Sequence, residues 1–146
     1  MFTTNTDTAA SVASAPSRTR SILIIAAGAI VALAANSIIA ASALAAGADP
    51  SFAALHVFVY GAFTVLGLLA AHLGWRIIRR RSNHPAALLR VLVPVLTMLS
   101  FVPDTVLALT GFIPGTSLTG VIGLALMHLV VVAVAVPVSA KVAPVN

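Results

Sequence analysis

The chain has 146 residues, of which 60% are hydrophobic and 8% are charged, and its net charge is +5. Soluble domains carry about 25% charged residues, so this composition excludes an ordinary water-soluble domain and indicates a protein whose solvent is lipid. The basic residues flank apolar segments and form no basic face with aromatic residues between them, so nucleic acid is not an expected partner.

Residues 1–20 are rich in Thr, Ser and Ala and predict a disordered cytoplasmic tail. The next segment, residues 21–46, is long enough to span a bilayer, which takes about 20 apolar residues. A cleaved signal peptide is the alternative, because Ala43-Leu44-Ala45 matches a cleavage site. The apolar run exceeds the usual length of a signal peptide core, which favours an uncleaved helix.

Residues 52–78 predict a second spanning helix, which follows a turn containing Gly47 and Pro50. Small residues recur along one side of this helix and would let another helix approach closely. They are Gly67, Ala70, Ala71 and Gly74. Trp75 occupies the position that an aromatic residue takes at the membrane interface.

Residues 87–109 and 118–138 predict the third and fourth spans, and residues 141–146 a short cytoplasmic tail. Pro94 and Pro103 lie inside the third span, where each removes a backbone hydrogen bond and favours a kink. Pro137 lies at the end of the fourth span. The fold class is therefore predicted as all-α, a membrane-embedded four-helix bundle of two antiparallel hairpins.

Arginine placement predicts the orientation of these spans. Residues 76–90 hold five of the seven Arg, whereas residues 47–51 and 110–117 contain neither Lys nor Arg. By the positive-inside rule, both termini and the central loop lie in the cytoplasm of a multi-pass cell-membrane protein. The central loop is also expected to contact anionic lipid headgroups. The residues proposed for this contact are Arg76, Arg79, Arg80, Arg81 and Arg90.

Ionisable residues inside a span are costly and mark candidate functional sites. Asp104 is the only acidic residue within a span, and three interpretations apply to it. In the first, the third helix ends at Val102 and Asp104 caps a short interfacial helix. In the second, Asp104 is a buried carboxylate, and in the third it forms an ion pair across a subunit interface. His128, near the middle of the fourth span, is either a hydrogen-bonded structural residue or a ligand, proton-relay or metal residue.

Other polar residues also lie in the predicted spans. Asn36 is expected to bond across helices, His56 and Tyr60 are spaced as one helix face, and Thr97 and Ser100 share a face with Asp104. Depth alone places Asn36, His56, Tyr60, Asp104 and His128 within reach of one another.

Several chemistries find no support in the sequence. The chain has no Cys, no Gly-rich phosphate loop, no recognised metal-ligand spacing and no pair of carboxylates for acid–base catalysis. We therefore expect no enzymatic activity, no cofactor and no metal.

Three short motifs are the basis of a resemblance to a protein family. They are Gly74-Trp75 before the basic loop, Leu99-Ser100 followed by Pro103-Asp104, and Met127-His128-Leu129-Val130 followed by Pro137. Over about residues 20–140 the chain resembles a family of small actinobacterial proteins with four predicted transmembrane helices and no assigned function. The resemblance implies the four-helix layout and no activity, cofactor or partner.

Two functions are compatible with the sequence. The small-residue faces favour a protein that acts by helix association, as a scaffold, an accessory subunit or a homo-oligomer. Asp104 and His128 support the alternative, a small proton-coupled transporter or channel.

Overall fold

A computed structural model describes residues 16–145, which form four long helices and one short 3-10 turn. The helices are α1 (Arg18–Ala45), α2 (Val57–Arg81), α3 (Pro85–Thr110) and α4 (Leu118–Val142), and the turn is Ala53–Leu55. No strand occurs within residues 16–145.

All four helices are long and apolar enough to cross a membrane. Their outer surfaces carry large apolar side chains, such as Ile30, Phe58 and Leu109, which are 68%, 88% and 81% exposed. An apolar exterior of this kind is stable in hydrocarbon and unstable in water. The fold is therefore that of a membrane protein.

Helix α4 lies at the centre, because each of the other three helices packs more extensively against it than against any other helix, and α1 most of all. Small residues permit this approach. A methyl group at Gly28 of α1 would lie 2.7 Å from Cγ2 of Val138, and one at Gly123 of α4 would lie 3.1 Å from Cβ of Ala43. The start of α1 thus lies against the end of α4, and the end of α1 against the start of α4.

The α1–α2 connection is tied to the start of α4. Phe52 is fully buried, with its ring 2.8 Å from the position that a methyl group would take at Gly120. Asp49 accepts hydrogen bonds at Oδ1 from the main-chain N–H of Ser51 (2.8 Å) and from its hydroxyl (2.7 Å). The backbone bond and then the hydroxyl bond lower the pKa of the Asp49 carboxyl, because both favour the charged form.

Helix α3 is continuous through Pro94 and Pro103 to Gly111, whose left-handed conformation (φ 58°) ends it. The interpretation in which this helix ends at Val102 and Asp104 caps an interfacial helix is therefore wrong. Hydroxyl groups donate to main-chain carbonyls around the two prolines, with Thr97 bonded to Val93, Ser100 to Thr97 and Thr105 to Phe101. None of these three hydroxyls bonds the carbonyl of Arg90 or Leu99, the two that lose their usual helical donor at Pro94 and Pro103.

Three other helix boundaries differ from those expected from hydropathy. Residues 53–55 form the 3-10 turn, so α2 begins at Val57 and His56 precedes it. Helix α4 continues past Pro137 and includes Lys141 in its last turn. Helix α1 begins at Arg18, capped by the Ser17 hydroxyl. Of the tail predicted to be disordered, residues 1–20, residues 1–15 lie outside the described residues, and residues 18–20 belong to α1 instead.

Candidate functional site

An open groove of about 510 Å³ runs between α2 and α3, with α4 as its floor. It exists because α2 and α3 pack less extensively against each other than each packs against α4. We call it the α2–α3 groove. Its principal lining residues are Asn36 of α1; Tyr60, Thr64, Gly67, Ala70, Ala71, Gly74 and Trp75 of α2; Leu92, Leu96, Thr97 and Ser100 of α3; and His128, Val131, Val136 and Ser139 of α4.

The lining of the groove is polar at one end and apolar along most of its length. Polar groups from all four helices meet at the end near Tyr60 and Ser100, where Asn36 and His128 also lie. Towards the other end the walls are aliphatic and small residues, and Trp75 and Ser139 line that end. A cavity with apolar walls and a few convergent polar groups is the usual form of a small-molecule site.

The side chains of Asp104 and His128 meet between α3 and α4, at the polar end of the groove. Nδ1 of His128 lies 3.0 Å from Oδ2 of Asp104. The Asp104 side chain is only 6% exposed, whereas that of His128 is 36% exposed and lines the groove. The pair therefore connects a buried carboxylate to a ring that a groove occupant can reach.

The alignment of this pair is incomplete. Nδ1 of His128 also lies 3.1 Å from the carbonyl oxygen of Leu124, one turn earlier in α4, and a single ring hydrogen cannot point at both acceptors. Oδ2 of Asp104 consequently has no well-aligned hydrogen bond. The Phe101 ring meets the His128 ring edge to face, with centroids 6.2 Å apart, and holds its orientation.

A second polar contact joins α1 to α2 beside the groove. Nδ2 of Asn36 donates to the Thr64 hydroxyl (2.7 Å), which in turn donates to the carbonyl of Tyr60 (2.7 Å). The Tyr60 hydroxyl lies 2.9 Å from the Ser37 hydroxyl. Oδ1 of Asn36 is buried and has no hydrogen-bond partner.

The apolar end of the groove is closed by contacts between α2 and α4. The indole N–H of Trp75 donates to the carbonyl of Ala143 (2.9 Å), and Nδ1 of His72 lies 3.4 Å from the hydroxyl of the buried Ser139. Trp75 is 8% exposed, so it packs inside the bundle instead of facing lipid at the interface as the sequence suggested.

Most of the polar residues singled out from the sequence meet at the groove. Asn36, Tyr60, Thr97, Ser100 and His128 line it, and Asp104 reaches it through His128. His56 does not join them.

His56 lies apart because it precedes α2, where Nε2 is 3.1 Å from the carbonyl oxygen of Pro50. Sequence reasoning missed Thr64 and Ser139, which are 2% and 1% exposed. Thr64 follows Tyr60 by one helical turn, a spacing that places both on one face and could have revealed it.

The basic residues proposed for lipid contact lie at the end of α2 and the start of α3. Arg76, Arg80, Arg81 and Arg90 are exposed, and Arg79 is half-buried with its Nε unpartnered. Asp104 with His128 is the only acid–base pair within residues 16–145, so no described carboxylate neutralises these arginines.

Within the same residues, no three His, Asp or Glu side chains are grouped closely enough to hold a metal ion. No curated protein and no solved structure matches the chain. One family model, described as a family of unknown function (DUF6069), matches residues 14–144. Because this match covers nearly the whole chain and all four helices, the protein belongs to the DUF6069 family.

Proposed function

We propose that this protein binds a small apolar or amphiphilic molecule in the α2–α3 groove and carries it across or within the bilayer in a proton-linked manner. The observation on which the proposal rests is that His128 lines the groove with its Nδ1 3.0 Å from Oδ2 of the buried Asp104. The proposed activity is transport or binding, without enzymatic chemistry.

Two physical arguments support this function. The groove volume of about 510 Å³ lies within the range of small-molecule sites, about 300–1,000 Å³. Ionisable groups within membrane spans are retained mainly at substrate and proton pathways. Tyr60 is the one other titratable side chain at this end of the groove, and α1 contributes only the neutral Asn36.

Proton flux into liposomes tests the proposal. The protein is reconstituted with an entrapped pH-sensitive dye, a pH gradient is imposed, and neutral alkyl compounds are added in turn. We expect Asp104→Asn to abolish the compound-dependent flux, because the amide cannot carry a proton. The matched control is Asp49→Asn, which changes an exposed acid in the α1–α2 connection. Equal flux in the parent and in folded Asp104→Asn rejects the proton-linked mechanism.

The same groove favours a second function, association with another copy of the chain. Gly74 has no atom within 4 Å of the position that a methyl group would take, and Ala70 and Ala71 are exposed beside it. This small-residue surface is free of the chain's own helices and could accept the helix of a partner.

Crosslinking in native membranes tests association. A discrete oligomer is expected for the parent and for Ala62→Ile, which enlarges an exposed residue of α2 outside the groove. Gly74→Ile should abolish the oligomer, because its side chain occupies the approach surface. A strictly monomeric parent contradicts this function.

The proposed setting is the cell membrane, with α1–α2 and α3–α4 as antiparallel hairpins and both termini in the cytoplasm. Support comes from the basic residues, which flank the start of α1, the end of α2, the start of α3 and the end of α4. Anionic lipid headgroups are the proposed partners of the arginines in residues 76–90.

A further inference from the structure

A second groove lies between α1 and α4, apart from the α2–α3 groove. It has a volume of about 780 Å³, and its lining comes from Pro16, the first half of α1 and the second half of α4. We call it the α1–α4 groove. Among the described residues that line it, Arg20 and Lys141 have the two polar side chains, and the other lining residues are apolar.

Arg20 and Lys141 lie at the same end of this groove, although they come from opposite ends of the chain. Gly28 of α1 lies against Val138 of α4. Arg20 is eight positions before Gly28, and Lys141 is three positions after Val138. Because the start of α1 lies against the end of α4, these two directions coincide, and both cations lie on the same side of the contact.

The positive charge at this end of the groove is accessible and is not neutralised by the described residues. Arg20 and Lys141 are both exposed. Within residues 16–145 the carboxylates are Asp49, in the α1–α2 connection, and Asp104, beside His128, and neither pairs with Arg20 or Lys141. An anion that enters this end of the groove therefore meets two cations and no competing carboxylate from that part of the chain.

The apolar part of the α1–α4 groove has the depth of one lipid leaflet. It is lined by side chains such as Ile24, Ala27 and Val31 of α1 and Val134 of α4. Arg20 and Val31 are 11 positions apart, which corresponds to roughly 16 Å along the helix. The hydrocarbon core of a bilayer is about 30 Å thick, so one leaflet contributes about half of that thickness. The cations therefore lie where a headgroup would be, and the apolar lining where its acyl chain would be.

We propose that the α1–α4 groove binds one anionic phospholipid, with the phosphate between Arg20 and Lys141 and an acyl chain extending towards Val31. Charge complementarity and leaflet depth favour this occupant, because both basic side chains bind phosphate well. A symmetric contact with a second copy is disfavoured, because it would place these cations near their own counterparts. The site is separate from the arginines of residues 76–90 and does not depend on the function proposed for the α2–α3 groove.

Photo-crosslinking with lipid probes tests this site by position. The protein is reconstituted in phosphatidylcholine vesicles with a trace of phosphatidylglycerol or phosphatidylcholine that carries a diazirine on one acyl chain. Labelled residues are mapped by mass spectrometry. We expect phosphatidylglycerol to label residues 24–31 and 133–138 about fivefold or more above phosphatidylcholine, because each basic residue near an anionic headgroup contributes a factor of about five.

Two pairs of variants separate the headgroup contact from the chain contact. Arg20→Gln should lower the phosphatidylglycerol excess about fivefold, whereas Arg18→Gln, which removes the same charge two positions earlier and outside the groove lining, should leave it unchanged. Ala27→Phe should abolish the excess by filling the groove. Its control is Ala26→Phe, which changes the adjacent exposed alanine outside the lining.

Three results overturn the inference. Equal labelling of the parent by the two probes shows that the groove does not recognise an anionic headgroup, and this comparison requires no variant to fold. Equal losses in Arg18→Gln and Arg20→Gln show that the lipid responds to overall charge and not to this groove. Absence of labelling by either probe shows that another chain, such as a second copy, covers the groove.

Discussion

Asn36 and Thr64 illustrate how single polar residues act within this bundle. They are 1% and 2% exposed, lie on different helices and are joined by a 2.7 Å hydrogen bond. In a bilayer no water replaces a lost partner, so the bond fixes the register of α1 against α2. The same burial leaves Oδ1 of Asn36 without a hydrogen-bond partner.

Replacing Thr64 by Val should therefore destabilise the protein. The change keeps the side-chain shape but removes the acceptor of the Asn36 amide, and we expect a loss of about 1 kcal/mol. Thermal unfolding in detergent measures it. Thr105→Val is the control, because Thr105 is exposed and its hydroxyl bonds only a carbonyl of its own helix, that of Phe101. Equal losses in the two variants would contradict the interhelical role.

At the scale of the helices, glycine has two different uses. Gly28 of α1 lies against Val134 and Val138 of α4, where no side chain fits without displacement. Gly74 of α2 faces open space in the α2–α3 groove. The first glycine is required by the packing of the chain itself, and the second leaves room for an occupant of the groove.

Alanine substitutions should separate these two uses. Gly28→Ala is expected to cost about 1–3 kcal/mol, because its methyl group overlaps Val138. Gly74→Ala should be neutral or stabilising by up to about 1 kcal/mol, because alanine favours the helix and meets no atom. Unfolding of the monomer in detergent measures both changes. A larger loss for Gly74→Ala than for Gly28→Ala would refute the assignment.

At the scale of the whole molecule, charge is distributed unevenly between the helix ends. Arg18 and Arg20 begin α1, three arginines end α2, Arg90 lies in the first turns of α3, and Lys141 ends α4. The other connections contain only Asp49 among charged residues. This asymmetry is the physical basis for the proposed cytoplasmic position of both termini.

Labelling of single cysteines tests the orientation, and the chain needs no prior modification because it contains no Cys. Asn83 and Phe112 are exposed residues of the α2–α3 and α3–α4 connections. A membrane-impermeant maleimide applied outside intact cells should label Phe112→Cys and spare Asn83→Cys until the cells are opened. The reverse labelling pattern would show that the orientation is opposite to the one proposed. Labelling of both residues from outside would show that α3 does not cross the membrane.

The sequence by itself determined that the chain forms four apolar helices, because hydropathy and length depend only on consecutive residues. It also placed Asn36, His56, Tyr60, Asp104 and His128 at similar depths, since rise per residue along a helix is constant. The tertiary structure alone decided which faces meet. It brought Asn36, Tyr60 and His128 to one groove with Thr97 and Ser100, excluded His56, joined Asp104 to His128 and selected Thr64 as the partner of Asn36. These outcomes depend on the rotation of each helix about its axis, which is set by packing between distant segments such as Gly28 against Val138.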